Sequence, residues 1–221
     1  MILKFKAGSD EWLKARQNFI TATEAGAIVG VNPYLSAGQM IARKENPDKL
    51  NNKFLRAGKI YESAVIAALK IDLGWDVGYL DGTGEASYIF TDQDSPLSAT
   101  PDAWRFDEPA LIEAKTTGEV NFERYWRYGD APPWYLSQAQ VQMICTNMPK
   151  TYLVCMLAQQ DPIISVVEVD RCPEFGDLVR DLARKFHRRE IARVPNGTKE
   201  KATILLKNSI KGNFISEYKD D

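Results

Sequence analysis

The sequence predicts a mixed α/β (α+β) domain. Three observations lead there. Helical apolar spacing fills the first third of the chain, β-branched and aromatic runs alternate with one helix through the middle, and an amphipathic helix follows them. In order, Asp10 to Phe19 reads as a helix capped by Ser9, with Trp12 and Phe19 as apolar anchors. Thr23 to Val29 is a short helix stopped at Gly30, Asn32-Pro33 a turn, Ala37 to Lys44 a helix, and Asn46-Pro47-Asp48 a break. From Leu55 to Leu73, the positions Ile60, Ala64, Ala67, Ala68 and Ile71 keep a helical period that ends at Gly74. Ser87 to Thr91, Ala103 to Phe106 and Ala110 to Lys115 read as strands, the last two flanking Asp107-Glu108-Pro109. Trp134 to Cys145 returns to helix. Thr151 to Ala158 and Ile163 to Val169 form a hairpin about Asp161-Pro162. Glu174 to Ile191 is amphipathic, with Phe175, Leu178, Leu182 and Phe186 on one face.

Composition narrows the chemistry. The 221 residues carry 28 Lys+Arg and 30 Asp+Glu, a net charge of −2, so the whole chain has no basic bias toward nucleic acid and any such surface is local. A single histidine, His187, excludes sites that need two. Cys145, Cys155 and Cys172 cannot supply a four-thiolate cluster and include no C-x-x-C pair. No phosphate-loop glycine motif and no G-x-S-x-G elbow is present. The opening residues, Met1 to Lys6, are too charged and too short for a secretory leader, and no apolar run is long enough to span a bilayer. Without repeats or a long linker, residues 1–221 read as one domain of a cytoplasmic, reduced protein. The chemistry left rests on carboxylates, lysines and hydroxyls.

The segment that gathers those groups is Pro101-Asp102, then Glu113-Ala114-Lys115. A turn at Asp107-Glu108 would pair Asp102 with Glu113, two carboxylates whose Cβ atoms would then stand about 5 Å apart on one face. Such a pair repels unless a proton or a cation separates it. Lys115 shares that face and Ala114 does not. A divalent ion between the acids, with a backbone carbonyl completing its shell, would be hard and oxygen-ligated, hence Mg²⁺ or Mn²⁺. Glu113 and Lys115 also interrupt an otherwise apolar strand, where unpaired charges would be costly. Glu62 similarly interrupts a helix of small and apolar residues.

These residues resemble the PD-(D/E)xK nucleases, and their surroundings resemble the lambda-type alkaline exonucleases of phage and viral recombination. Trp12-Leu13-Lys14-Ala15-Arg16 with Ile20-Thr21-Ala22-Thr23-Glu24 is similar to the family's W-x-x-x-R…I-T-A-S-E. Gly58-Lys59-Ile60-Tyr61-Glu62 is similar to G-x-x-Y-E, and Ser137-Gln138-Ala139-Gln140-Val141-Gln142 resembles the Q-x-Q segment. With Thr100-Pro101-Asp102 to Lys115, four blocks keep the family order between Trp12 and Gln142. Thr23 stands where the family has serine, Ala103 where many members have glycine, and residues 30–53 match nothing.

The resemblance implies a restriction-endonuclease-like core with a central mixed sheet flanked by helices. It implies Mg²⁺, with Mn²⁺ substituting, held by Asp102, Glu113, the Ala114 carbonyl and Glu62. Asp92, ten residues before Asp102, matches a further acidic position and is read either as a ligand or supporting group or as a turn aspartate. Lys115 would orient or activate the attacking water, and Gln138 would hydrogen-bond the site. Arg16, Thr23 and Thr100 match a 5′-phosphate pocket, and Leu55 matches a wedge that parts the terminal base pair. The implied activity is processive 5′-to-3′ degradation of linear double-stranded DNA, leaving a 3′ overhang. The implied assembly is a homotrimer ring at DNA ends, with a single-strand annealing partner, in a bacterial host cell and encoded by a phage or prophage. A PD-(D/E)xK endonuclease or junction resolvase is the alternative. The basic run from Arg180 to Arg193 reads as a solvated helix face. Tyr125, Trp126, Tyr128, Trp134 and Tyr135 read as core or interface, with base stacking as the other possibility.

Overall fold

A six-stranded sheet with helices on both faces positions the carboxylates; a smaller four-stranded sheet packs beside it. The computed structural model describes residues 1–6, 8–46, 53–159 and 162–216, with the backbone alone for 53–59 and 216. In chain order the elements are β1 (Ile2–Lys6), α1 (Asp10–Gln17), β2 (Ile20–Thr21), α2 (Ala22–Ile28), α3 (Ala37–Glu45) and α4 (Lys53–Leu73). Then come β3 (Val77–Gly78), β4 (Ala86–Thr91), β5 (Leu97–Ala99), β6 (Ala103–Arg105), β7 (Ala110–Thr117) and α5 (Glu119–Tyr125). After a 3₁₀ turn (Trp126–Tyr128) follow α6 (Pro133–Thr146), β8 (Lys150–Leu157), β9 (Ile163–Asp170), α7 (Pro173–His187), α8 (Thr198–Asn208) and β10 (Ile210–Ser216).

The larger sheet runs β10-β9-β8-β7-β6-β3, and only its β7–β8 pair is parallel. The smaller runs β1-β4-β5-β2, with β2 parallel to β5. This is the mixed sheet flanked by helices that the family resemblance implies. Strands β7, β8 and β9 are covered on both faces, which is why they read as almost continuous apolar runs. Leu111, Leu153, Cys155 and Val167 face a core built with α2, α6 and α7. Ile112, Val154 and Val166 face Val65, Ile66 and Leu69 of α4 on the other side. Burial of these side chains supplies most of the stabilisation, at roughly 25 cal/mol per Å² of apolar surface.

Helix α6 is the element that most affects the site. Pro133 starts it at a position that needs no amide donor, and Asn147 ends it in the left-handed region at φ 58°. It packs on both sheets and on α2, where Gly26 permits close approach. A Cβ there would lie 3.1 Å from the Trp134 Cβ and 3.2 Å from the Ser137 Oγ. Helix α7 shows the expected apolar stripe, with Phe175, Val179, Leu182 and Phe186 buried and Leu178 partly so.

Two sequence expectations change in detail. Helix α2 starts at Ala22 rather than Thr23, because Thr21, at the end of β2, takes the extended cap conformation. Its amide and hydroxyl donate to the Glu24 carboxylate at 2.8 and 2.9 Å. The opening residues form a true edge strand, β1, paired along its length with β4. Elements β1, α5, α8 and β10 carry too little periodicity to stand out in the sequence.

The Gly26 contact predicts that Gly26→Val, which forces branched carbon into the α2–α6 interface, destabilises the fold by about 1–3 kcal/mol. Urea denaturation with an unchanged m-value measures it.

Candidate active site

The β6–β7 register is the one the turn at Asp107-Glu108 predicts. Ala103 pairs with Ile112, Trp104 with Leu111 and Arg105 with Ala110. Strand β6 begins just after Asp102, whose Oδ2 accepts the Ala114 amide at 2.9 Å. This bond fixes the aspartate against β7, next to Glu113. A strand residue's carbonyl lies on the same side as its amide, so the Ala114 oxygen faces the side that Asp102 occupies.

Glu113 points away from α4, into the layer beneath α6, and is 1% exposed. A buried carboxylate without partners would be strongly destabilised, and here it has three. Gln138 donates from Nε2 to Oε1, Gln142 donates from Nε2 to Oε2, and the Lys115 ammonium lies on Oε1. Gln138 and Gln142 are four residues apart on α6, hence on one helical face above one another. Gln140, on the opposite face, donates to the Asp170 carbonyl at 2.7 Å and accepts from the Cys172 amide at 2.8 Å, tying α6 to the β9–α7 connection. The resemblance gives a role to Gln138 and none to Gln142, which lies in the same block; the i, i+4 spacing was the available signal. The Gln142 side-chain oxygen Oε1 is buried and has no hydrogen-bond partner among the described residues.

The electrostatics follow from this packing. Burial and the neighbouring Glu113 charge push the Asp102 carboxyl well above the usual carboxylate range, with Glu62 adding to the rise and Lys115 opposing it. Burial alone would lower the Lys115 ammonium, but Glu113 and Asp102 outweigh it and hold the lysine protonated. Burial, then Glu62 and Asp102, raise the Tyr79 phenol, which places Glu62, on α4, and Tyr79 within electrostatic reach of Asp102. Burial lowers the Arg16 guanidinium, against the pull of Glu24 and Glu113.

Arg16 therefore borders the Glu113 site, stacked over the Trp12 ring at 4.3 Å. Thr21 pairs in parallel with Ser98, so Thr23 and Thr100 each lie two residues beyond the last paired position, at the same end of the strands. Thr23 is exposed at the start of α2. Leu55 lies in the opening turn of α4, and its side chain is outside the described residues.

Asp92 is not brought to the acidic pair. Arg180 grips its carboxylate with two bonds of 2.9 and 3.0 Å, and Ser95 donates at 2.6 Å. Despite burial, which acts upward, these partners hold Asp92 below the usual range. Its charge is compensated by α7, and of its two readings the structural one describes it. The basic run is likewise paired locally: Lys185 with Asp181, Arg188 with Glu190 and Arg189 with Glu45. Of the aromatics, Trp126 is core at 1% exposure.

The donor set suits a hard divalent cation. Two adjacent acids with a backbone carbonyl beside them offer oxygen ligands, and burial together with the Glu113 charge makes the Asp102 carboxylate one that a cation would relieve. Among the described residues no three His, Cys, Asp or Glu side chains converge to form a cage by themselves. An ion here would keep several waters, as Mg²⁺ commonly does.

Comparison with known proteins places this geometry. The model of the YqaJ-like viral recombinase domain matches residues 11–149, a span that contains Arg16, Glu62, Asp102, Glu113, Lys115 and all three glutamines. No protein of curated function matches the chain in sequence. Among solved structures, the alkaline exonuclease LHK-Exo from Laribacter hongkongensis superposes with a TM-score of 0.65 at 18% identity, covering 90% of this chain and 97% of that one. The structure of LHK-Exo in complex with dAMP gives the same values. At that identity the likeness is one of fold. With well over half its length matched, the chain belongs to the YqaJ-like viral recombinase family and is built on the fold of an alkaline exonuclease.

Proposed function

We propose that this chain is a metal-dependent deoxyribonuclease that digests linear double-stranded DNA from its 5′ ends and leaves a 3′ overhang for strand annealing. One observation carries the reading: Asp102 and Glu113 meet across the β6–β7 pair with Lys115 held on the same face, two acids and a lysine brought together in a buried site. Family membership supports a recombination role, and the fold shared with an exonuclease supports action at ends.

Asp102, Glu113 and the Ala114 carbonyl would hold Mg²⁺ or Mn²⁺, with Glu62 approaching from α4. When bound, the ion supplies charge stabilisation at the phosphoryl oxygens and a more acidic water. Lys115, protonated and fixed by Glu113, donates a hydrogen bond where negative charge develops at phosphorus. Gln138 and Gln142 fix the orientation of both Glu113 oxygens. Arg16 provides a bidentate partner for a terminal phosphate, and the hydroxyls of Thr23 and Thr100 stand at the same end of the strands. Leu55 is proposed as the wedge. Assembly as a homotrimer ring, processive action, a single-strand annealing partner and a bacterial cytoplasmic setting complete the proposal. Among the described residues, no helix is long and apolar enough to cross a membrane.

End-labelled linear duplex and covalently closed circular duplex, incubated with Mg²⁺ and with EDTA, test the reading directly. Linear DNA should vanish only with metal and circles should survive; nicked circles would favour the endonuclease alternative. Lys115→Ala is expected to slow digestion by about 10²–10³-fold with the fold intact, and full activity in that variant would remove the lysine from the mechanism. Gln142→Leu, which strips Oε2 of its donor, should lower metal affinity or rate about 10–100-fold, read as a shifted Mg²⁺ titration. Asp102→Asn should abolish activity yet stabilise the metal-free protein. A raised native pKa means the folded state holds its proton longer than the unfolded one, so wild-type stability falls as pH climbs out of the ordinary carboxylate range. The variant escapes that loss, and its Tm advantage in EDTA should grow between acid and mildly alkaline pH, by roughly 2–4 °C per kcal/mol. A Tm difference independent of pH would contradict the assignment.

A further inference from the structure

We propose that the start of α6 and the bend at 33–34 form a stacking subsite for unpaired nucleic-acid bases, running outward from Lys115 across Tyr135 and Trp134 to Tyr34. The proposal rests on the nuclease reading of the same cleft and extends it to the nucleotides beside the scissile phosphate.

The rings form a continuous series. The Lys115 ammonium lies 5.0 Å from the Tyr135 ring centre, Tyr135 is 5.6 Å from Trp134, and Trp134 is 5.6 Å from Tyr34. Burial falls along this path. Lys115, Tyr135 and Trp134 are half-buried, while Tyr34 is 69% exposed. Tyr34 and Trp134 meet in a T-shaped arrangement at 87°, and most of the Tyr34 surface is left to solvent. Asn32 accepts the Tyr34 amide at 2.9 Å and fixes the backbone that presents the ring. A tyrosine offers a large contact area with only two side-chain torsions to order on binding, which favours its use as a contact surface.

Two features point to nucleic acid as the occupant. The series is continuous with the cleft where the phosphodiester is expected. Cations also flank it: Lys115 at the inner end, and Arg124, stacked 5.1 Å over Tyr125, at the side where Tyr125 packs edge-on against Trp134. Aromatic faces next to cations match the alternation of bases and phosphates in a single strand. Every base has a π-face, so such a subsite tolerates sequence, as a nuclease acting along any duplex requires.

The test uses a fluorescently labelled oligo(dT) and a same-length abasic oligonucleotide, titrated by anisotropy in EDTA so that cleavage is silent. Tyr34→Ala, at an exposed position, should weaken oligo(dT) binding about 5–10-fold, and Tyr34→Phe should stay within about twofold of wild type. On the abasic strand Tyr34→Ala should bind like wild type, since no base is present to stack. Trp134→Phe should show the same base dependence in weaker form. Unchanged oligo(dT) affinity in Tyr34→Ala, an equal loss on the abasic strand, or no oligo(dT) binding by wild type overturns the subsite. The nuclease reading fails separately: a wild-type protein inert on linear duplex with Mg²⁺, but showing the Tyr34 and base dependence, loses the activity and keeps the subsite.

Discussion

A single electrostatic conflict organises this molecule. Glu113 is almost wholly buried and stands beside Asp102, so the fold must place two acids where neither is well solvated. It resolves the conflict in two ways. Glu113 is surrounded by a lysine and two amides from α6. Asp102 is driven toward its neutral form, held by one backbone amide. The two acids are thus held differently, one by three side-chain donors and the other by a single backbone amide. Hydrogen bonds to charged groups contribute about 1.5–3 kcal/mol each, so three on Glu113 are of the right size to hold it in place.

The rest of the architecture serves that placement. Strand β7 lies inside the larger sheet, with its apolar residues packed on both faces, so Glu113 and Lys115 project from a rigid support. Helix α4 covers the far face and brings Glu62 within electrostatic reach of Asp102. Helix α2 brings the exposed Thr23 to the strand end occupied by Thr100, while Arg16 approaches from α1. The distribution of charge resolves an apparent difficulty of composition. The chain as a whole is slightly acidic, yet Lys115 and Arg16 stand beside the acidic pair and Arg124 stacks on Tyr125.

Much of this was legible in the sequence, for physical reasons that can be named. Strands buried on both faces leave long apolar runs, so β7, β8 and β9 were recognisable, and a charged pair inside one of them stood out. The turn at Asp107-Glu108 fixed the register, because side chains in a hairpin alternate strictly and a one-residue slip would have buried the wrong set. What escaped notice depends on distant partners. Strand β1 has alternating residues but is only a strand because β4 lies beside it. Asp92 resembled a ligand in spacing, yet Arg180, 88 residues away, engages its carboxylate. Gln142 was overlooked because a glutamine in a helix is unremarkable until the carboxylate it faces is known. The start of α2 moved by one residue for a similar reason, since the cap is set by the end of β2.

Glutamines 138, 140 and 142 alternate between the two faces of α6, and this couples tasks that are usually separable. The middle amide fastens the helix to the β9–α7 junction, while its two neighbours steady the buried glutamate. Rotating or sliding that helix to improve one set of bonds would spoil the other. The segment therefore behaves as a mechanical key with two working edges, and sequence drift elsewhere in the protein must leave its seat unaltered.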